Sequence, residues 1–337
     1  MCPESFVNLS ALLPLFSSRR LLVIGDLMLD EWIWGRVSRI SPEAPIPVVD
    51  VESISRTPGG ACNVAANIMS LGSQSTLLGV IGEDTAGEHL REDLEKLNID
   101  TSDVIVDPQR PTTLKTRIVA HGQQVVRADR ESRASISADV AKCLCASIKS
   151  RIAGVDAVLM SDYGKGVLTP AVTQHTIREA AEHGKPVIID PKGSVYAKYR
   201  GATVLTPNKQ EAAQALSMDI TDGESLTRAG QTLLRELSCR AALVTRGEEG
   251  MSLFQNGGQE SYFPAHARQI YDVTGAGDTV VATFALALAA GADYVESAIL
   301  ANHAAGVVVA KVGTATVSLD ELRRSLASYD ERVVTAE

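Results

Sequence analysis

The chain has too few cysteines, too widely scattered, for a disulfide framework or a zinc clamp. Its 337 residues hold five: Cys2, Cys62, Cys143, Cys145 and Cys239. The number is odd, and neither Cys-x-x-Cys nor His-x-x-x-His occurs, so reduced thiols in the cytosol fit best. No apolar run reaches the roughly 18 residues that a membrane span needs. The start of the chain lacks a basic segment, and residues 11–16 are too short and proline-broken for a signal core. A cytoplasmic protein is therefore expected. Positive charge is in deficit: net charge is −9 and the pI is near 5.3, which argues against nucleic acid or an anionic membrane as partner. Any phosphorylated ligand must then be held by a few local Arg and Lys residues. Two nucleotide motifs are missing as well. The third glycine of Gly-x-Gly-x-x-Gly is replaced by Val280, and neither Gly164-Lys165 nor Gly184-Lys185 is followed by the Ser or Thr of a Walker loop.

What is present is a substantial core, with 45% hydrophobic and 22% charged residues. Short apolar runs at 21–24, 157–160, 186–189, 203–205 and 241–244 read as strands buried on both faces. Each ends in polar or glycine residues, and helical patterns fall around 170–183, 209–216, 224–238 and 295–311. This alternation predicts an α/β fold with a doubly wound, mostly parallel sheet, whose ligands lie off the carboxyl ends of the strands. Segments 46–54 and 113–128 instead partly alternate apolar and polar residues, as half-exposed antiparallel strands do, with a hairpin turn at His121-Gly122-Gln123. They read as a small β lid, from about 31–56 and 112–130, inserted in a single domain spanning 1–337. An ordinary sheet edge is the plainer alternative.

The most chemical string is Asp272-Val273-Thr274-Gly275-Ala276-Gly277-Asp278, which runs into a buried helical segment at 280–290. A helix start leaves N–H groups unpaired and carries partial positive charge, so it can hold an anion. Asp278 beside such an anion would repel it, and is better explained as the acceptor of a proton from an attacking hydroxyl. Taken alone, the string is equally well a tight turn and a first-turn carboxylate. Pro58-Gly59-Gly60-Ala61-Cys62-Asn63 is a second glycine pair ahead of an apolar helix, where backbone could approach a ligand and Asn63 could meet hydroxyls. Asp26 and Asp30 stand at and beyond a strand end.

Together, Gly59-Gly60-Ala61-Cys62-Asn63 and Asp272 to Asp278 resemble the two signatures of the ribokinase-like (PfkB) carbohydrate kinases. Asn208-Lys209-Gln210-Glu211 is similar to that family's Asn-x-x-Glu element, and Thr245-Arg246-Gly247 to its nucleotide-side turn, in matching order over nearly the whole chain. Within the family, Gly25 to Asp30, Ser38-Arg39-Ile40-Ser41-Pro42-Glu43-Ala44-Pro45, Asp190-Pro191-Lys192-Gly193 and Leu205-Thr206-Pro207-Asn208 resemble the D-glycero-β-D-manno-heptose-7-phosphate kinases. The resemblance implies ATP-dependent phosphorylation of that sugar at O1, on the route to ADP-heptose and the lipopolysaccharide core. No His-x-Gly-His motif of a fused nucleotidyltransferase occurs, so a stand-alone kinase is expected.

The resemblance also implies roles. Asp278 would be the general base, and the N–H groups of Gly275, Ala276 and Gly277 the anion hole. Asp26, Asp30, Gly59, Gly60 and Asn63 would meet sugar hydroxyls. Asn208 and Glu211 would organise Mg²⁺ through water. Thr245 and Gly247 would lie along the ATP phosphates, and Asn302 near adenine. The sugar phosphate needs cations, for which Lys115, Arg117, Arg127, Lys165 and Lys192 are candidates, Lys192 alternatively reaching ATP. A homodimer pairing through the lid is expected. Rival readings are a kinase for fructose 6-phosphate or an unphosphorylated sugar, a sugar-sensing regulator without turnover and, more distantly, a nicotinamide dehydrogenase.

Overall fold

Leu21 and Val23 pack into one apolar cluster and Leu22 and Ile24 into another, all fully buried, because alternate residues of a strand face opposite sides. These residues form the first strand of a computed structural model that describes residues 9–266, 271–311 and 313–335, with side chains up to residue 327. Cys2 and the two ends of the 1–337 unit lie outside the described residues. The other four cysteines are free thiols.

The chain runs through β1 (Arg20–Gly25), β2 (Leu27–Ile40), β3 (Pro47–Gly60), α1 (Ala61–Ser70), β4 (Gln74–Ile81), α2 (Thr85–Lys96) and β5 (Val104–Val106). Next come β6 (Thr113–Ala120), β7 (Gln123–Arg130), α3 (Ala138–Arg151), β8 (Ala157–Ser161), α4 (Pro170–Glu182), β9 (Val187–Asp190) and β10 (Val204–Leu205). It continues with α5 (Lys209–Leu216), α6 (Gly223–Leu237), β11 (Ala241–Thr245), β12 (Met251–Gln255) and β13 (Glu260–Phe263). Helices α7 (Ala276–Ala289), α8 (Tyr294–Val308) and α9 (Leu319–Thr335) follow.

The main sheet has nine strands in the order β13-β12-β11-β10-β9-β8-β1-β4-β5. All of its pairs are parallel except β11–β12 and β12–β13. The fold is therefore a doubly wound α/β sheet with helices on both faces, and the five strands expected from apolar runs are β1, β8, β9, β10 and β11. Strand order reverses between β1 and β8, the place where such sheets open a crevice at their carboxyl ends. Helix α7 lies in the core on nearly every side, which is why its sequence is apolar all round rather than striped.

The second sheet has the order β3-β2-β6-β7. Its hairpins β2–β3 and β6–β7 are antiparallel, but the central β2–β6 pair is parallel, unlike the antiparallel arrangement expected from the alternation. The reason lies in the connection: β6 reaches β2 only after the chain has passed through α1, β4, α2 and β5 of the main domain. Strand β2 leaves β1 with Asp26 alone between them, so the second sheet stands directly over the carboxyl ends of the first.

Candidate active site

Asp278 sits in the first turn of α7 and is only 3% exposed. Both of its oxygens accept hydrogen bonds. Asn63 Nδ2 donates to Oδ2 at 2.7 Å, and the Tyr163 phenol donates to Oδ1 at 2.7 Å. Burial pushes the Asp278 carboxyl up to about 6, against the lowering effect of the Asn63 and Tyr163 bonds. The Asp30 carboxylate adds to the rise, and Lys115 opposes it. This is a carboxylate still basic enough near neutrality to take a proton.

The turn before α7 demands glycine. Gly275 caps the helix at φ 78°, and a Cβ there would lie 2.8 Å from Asn63 Nδ2. Asp272 accepts from the N–H and hydroxyl of Thr274 and from Gly313 N–H, which fixes the approach to the helix. Of the three expected anion-hole donors, Ala276 N–H is engaged by Val273 O at 3.2 Å. The N–H groups of Gly275 and Gly277 meet no acceptor among the described residues. Gly277 also has open space where a Cβ would stand.

Two cavities meet at Gly277. One, of about 190 Å³, is lined mainly by apolar groups, among them Met251, Val273, Val280, Ala305 and Val309, with Thr245, Gly247 and Asn302 on its wall. It suits a flat heteroaromatic base. Asn302 lines this cavity, and its amide donates to Pro264 O at 2.8 Å. The other cavity, of about 170 Å³, is lined by Asp162, Asp190, Lys192, Asn208 and Glu211, and shares Thr245, Gly277 and Val280 with the first. Burial, then the charges of Asp278 and Glu211, push the Asp190 carboxyl well above its ordinary value. Asn208 and Glu211 form a capping box at the start of α5. Lys192 Nζ bonds Glu211 Oε1 at 2.6 Å and Asn208 N–H bonds Oε2 at 3.0 Å, so both oxygens of this expected magnesium organiser have partners.

Beyond Asp278 lies the underside of the second sheet. Register places Lys115 between Asp30 and Asp129, and Arg117 between Trp32 and Arg127. Arg117 Nη1 is 2.6 Å from Asp30 Oδ1, with both side chains largely buried, and its guanidinium lies 5.0 Å from the Trp32 ring centre. Lys115 Nζ stands 5.3 Å from the Tyr163 ring centre. Burial lowers the Lys115 pKa; Asp30 opposes this, and Lys165 and Arg117 reinforce it.

Several expected residues have other work here. Asp26 is 1% exposed, and its oxygens accept the N–H groups of Tyr163, Lys165 and Val167 at 2.8, 3.0 and 3.2 Å. It shapes the loop after β8 rather than meeting hydroxyls. Gly59 is needed because a Cβ would lie 2.2 Å from Asp30 Oδ2, and Gly60 because its φ is 58° and Asp26 O is close. Both glycines are buried against the protein's own atoms rather than open to a ligand. Asn63 faces Asp278 and is locked from behind, since Asn67 Nδ2 donates to Asn63 O and Thr279 Oγ1 donates to Asn67 Oδ1. Lys165 is paired with Glu131 at 2.6 Å, and Arg127 makes a two-point pair with Asp129. Sequence reasoning missed Tyr163, Asn67, Thr279 and Asp162. The available signals were a polar pair four residues apart on the otherwise apolar α1, and a tyrosine between polar and glycine residues after a strand.

Residues 18–322 match the model of the pfkB family carbohydrate kinase. Over 312 residues the chain is 48% identical to the bifunctional protein HldE of Desulfatibacillum aliphaticivorans, covering 93% of this chain and 64% of that protein. It is 50% identical over 305 residues to the bifunctional protein HldE of Geobacter sulfurreducens, covering 90% of this chain and 62% of that protein. The chain thus spans just under two thirds of the curated relatives it matches. Among solved structures, a ribokinase of Arabidopsis thaliana complexed with ribose and ATP superposes with a TM-score of 0.73 at 21% identity, covering 91% of this chain and 98% of that one. Phosphofructokinase-2 of Escherichia coli in complex with potassium gives 0.74 at 21% identity, with 92% and 99% covered. These two likenesses establish the shared fold.

Proposed function

We propose, from the premise that this chain belongs to the pfkB family of carbohydrate kinases and is an ATP-dependent sugar kinase, that its substrate is D-glycero-β-D-manno-heptose 7-phosphate. Transfer to O1 would give the 1,7-bisphosphate, a step towards ADP-heptose and lipopolysaccharide core. The observation that carries the reading is the buried Asp278, with a carboxyl near 6, placed between a cationic sheet face and a glycine-lined helix start. A sugar lying under the second sheet would present its hydroxyl to Asp278. Asp278 would take that proton as the oxygen attacks the γ-phosphorus of ATP and the bond from that phosphorus to the bridging oxygen of ADP breaks, while the N–H groups of Gly275 and Gly277 would face the charge on the transferring group. ATP would lie across Gly277, its base in the apolar cavity and its phosphates towards Thr245, Gly247 and Lys192.

Lys115 and Arg117 suit the sugar's phosphate. Lys115 is held in a site that disfavours its charge, and a phosphate dianion there would relieve that penalty. Arg127 stands opposite Arg117 on the same sheet face. The oxygen-rich cavity formed by Asp162, Asp190, Asn208 and Glu211 fits Mg²⁺, whose bound charge would offset the carboxylates and the phosphates together. Among the described residues no three His, Cys, Asp or Glu side chains converge closely enough to hold a bare ion, so contact through water is proposed.

The resemblance of the Ser38 to Pro45 string supports the heptose over other sugars, and the cationic face supports a phosphorylated substrate over a free one. The test is ADP release with Mg-ATP across heptose 7-phosphate, fructose 6-phosphate, ribose and adenosine. Turnover confined to the heptose supports the assignment. Preference for another sugar sinks it while leaving the kinase. We further propose a homodimer through the second sheet, supported by exposed Ile40, Ile46, Val51 and Ile54 and by its two open edges, β3 and β7.

A further inference from the structure

We infer that Tyr163 is a positioning residue for the base: its phenol fixes one oxygen of Asp278 while its ring carries the ammonium group of Lys115. The inference rests on the reading of Asp278 as base. The geometry is specific. Tyr163 follows β8, and its own N–H is tied to Asp26 Oδ2 at 2.8 Å, so its backbone cannot drift. Its hydroxyl lies 2.7 Å from Asp278 Oδ1, and Lys115 Nζ lies 5.3 Å from its ring centre. One side chain therefore touches both the base and the cation proposed for the sugar phosphate.

The other oxygen of Asp278 is held differently. Asn63 Nδ2 belongs to a buried chain running through Asn67 to Thr279 and is fixed by its own helix. The phenol supplies the second restraint, so the carboxylate cannot rotate about its Cβ–Cγ bond. One lone pair of each oxygen is then left for a substrate hydroxyl. Burial and the nearby Asp278 charge raise the Tyr163 pKa, so the phenol keeps its proton and donates a hydrogen bond to the charged carboxylate. The charged or titratable groups facing Asp278 are Asp30 from β2, Cys62 from α1, Lys115 from β6, Tyr163 after β8 and Asp190 from β9. Of these, Tyr163 alone donates a hydrogen bond to the carboxylate.

Tyr163→Phe removes this bond and keeps the ring under Lys115. The test follows the ¹³Cγ titration of Asp278 in the free protein, the resonance being assigned by its loss in Asp278→Asn. The midpoint is expected to rise by about half a pH unit or more, because a donor to the charged form has gone. A smaller change overturns the inference. In turnover with Mg-ATP and the preferred sugar, the kcat plateau should fall about tenfold with sugar KM within about twofold, and the acid limb of kcat/KM should move to higher pH. An equal loss at every pH, with the limb unmoved, marks a merely structural tyrosine and also overturns it. The titration needs no substrate, so it judges Tyr163 even where every tested sugar fails. Activity retained in Asp278→Asn would instead overturn the base reading, and with it any catalytic consequence of the tyrosine.

Discussion

At the scale of single residues, the carboxylate of Asp278 serves chemistry at a cost to folding. Its folded pKa, about 6, stands above the ordinary aspartate value of 3.8, so the folded protein holds this proton more tightly than the unfolded chain. Stability linked to it is fully present below pH 3.8 and is lost as pH rises through about 6. Asp278→Asn removes the ionisation and should stabilise the protein at pH 8 by roughly 1–3 kcal/mol, a gain that fades below pH 4. Urea unfolding at the two pH values measures it; a variant destabilised at pH 8 would contradict the account. The same substitution should lower kcat about 10²–10⁴-fold. In the intact enzyme, kcat/KM should fall on the acid side with a midpoint near 6, since only the deprotonated base accepts the hydroxyl proton. A flat profile from pH 5 to 8 would argue for another base.

At the scale of elements, the site depends on a helix start that tolerates only glycine and on a strand pair that buries an ion pair. Gly275→Ala would force a side chain into the left-handed region and against Asn63. We expect a loss of about 1–2 kcal/mol in stability and a larger fall in kcat, about a hundredfold, from displacement of the base. Stability and kcat falling in the same small proportion would show that Asn63 yields freely. Arg117→Met leaves Asp30 buried without its partner, with an expected cost of about 3–5 kcal/mol in denaturant unfolding. A cost under about 1 kcal/mol would mean that water reaches the carboxylate. The sequence made five parallel strands legible, β1 and β8 to β11, because strands covered on both faces must be continuously apolar, but not the parallel β4 and β5. The antiparallel strands β12 and β13 stayed hidden, the edge strand β13 because its side chains are half exposed and carry no such run. Asp278 and its glycines were legible because helix-start chemistry is local. The partners of Asp278 were not, since Asn63 and Tyr163 reach it only through the tertiary fold. Asp26 and Gly59 carried signals of ligand contact that the fold uses for its own loop and carboxylate.

At the scale of the whole molecule, the second sheet is the part with least cover. Strand β7 is exposed along its whole length, and Ile54 on β3 is 58% exposed. Light scattering should therefore give about twice the chain mass of 35.8 kDa, and Ile54→Lys should return it to one chain. A wild-type mass of one chain at micromolar concentration would refute pairing through this sheet. Asn63 and Asp278, whose side chains meet, lie 215 residues apart along the chain, with the Tyr163 partner between them. No early hairpin or isolated half of the polypeptide holds both. Refolding intermediates, nicked fragments and nascent chains still lacking α7 thus have no assembled catalytic centre, so recovered turnover after dilution from urea is a stricter clock of complete folding than recovered helix signal.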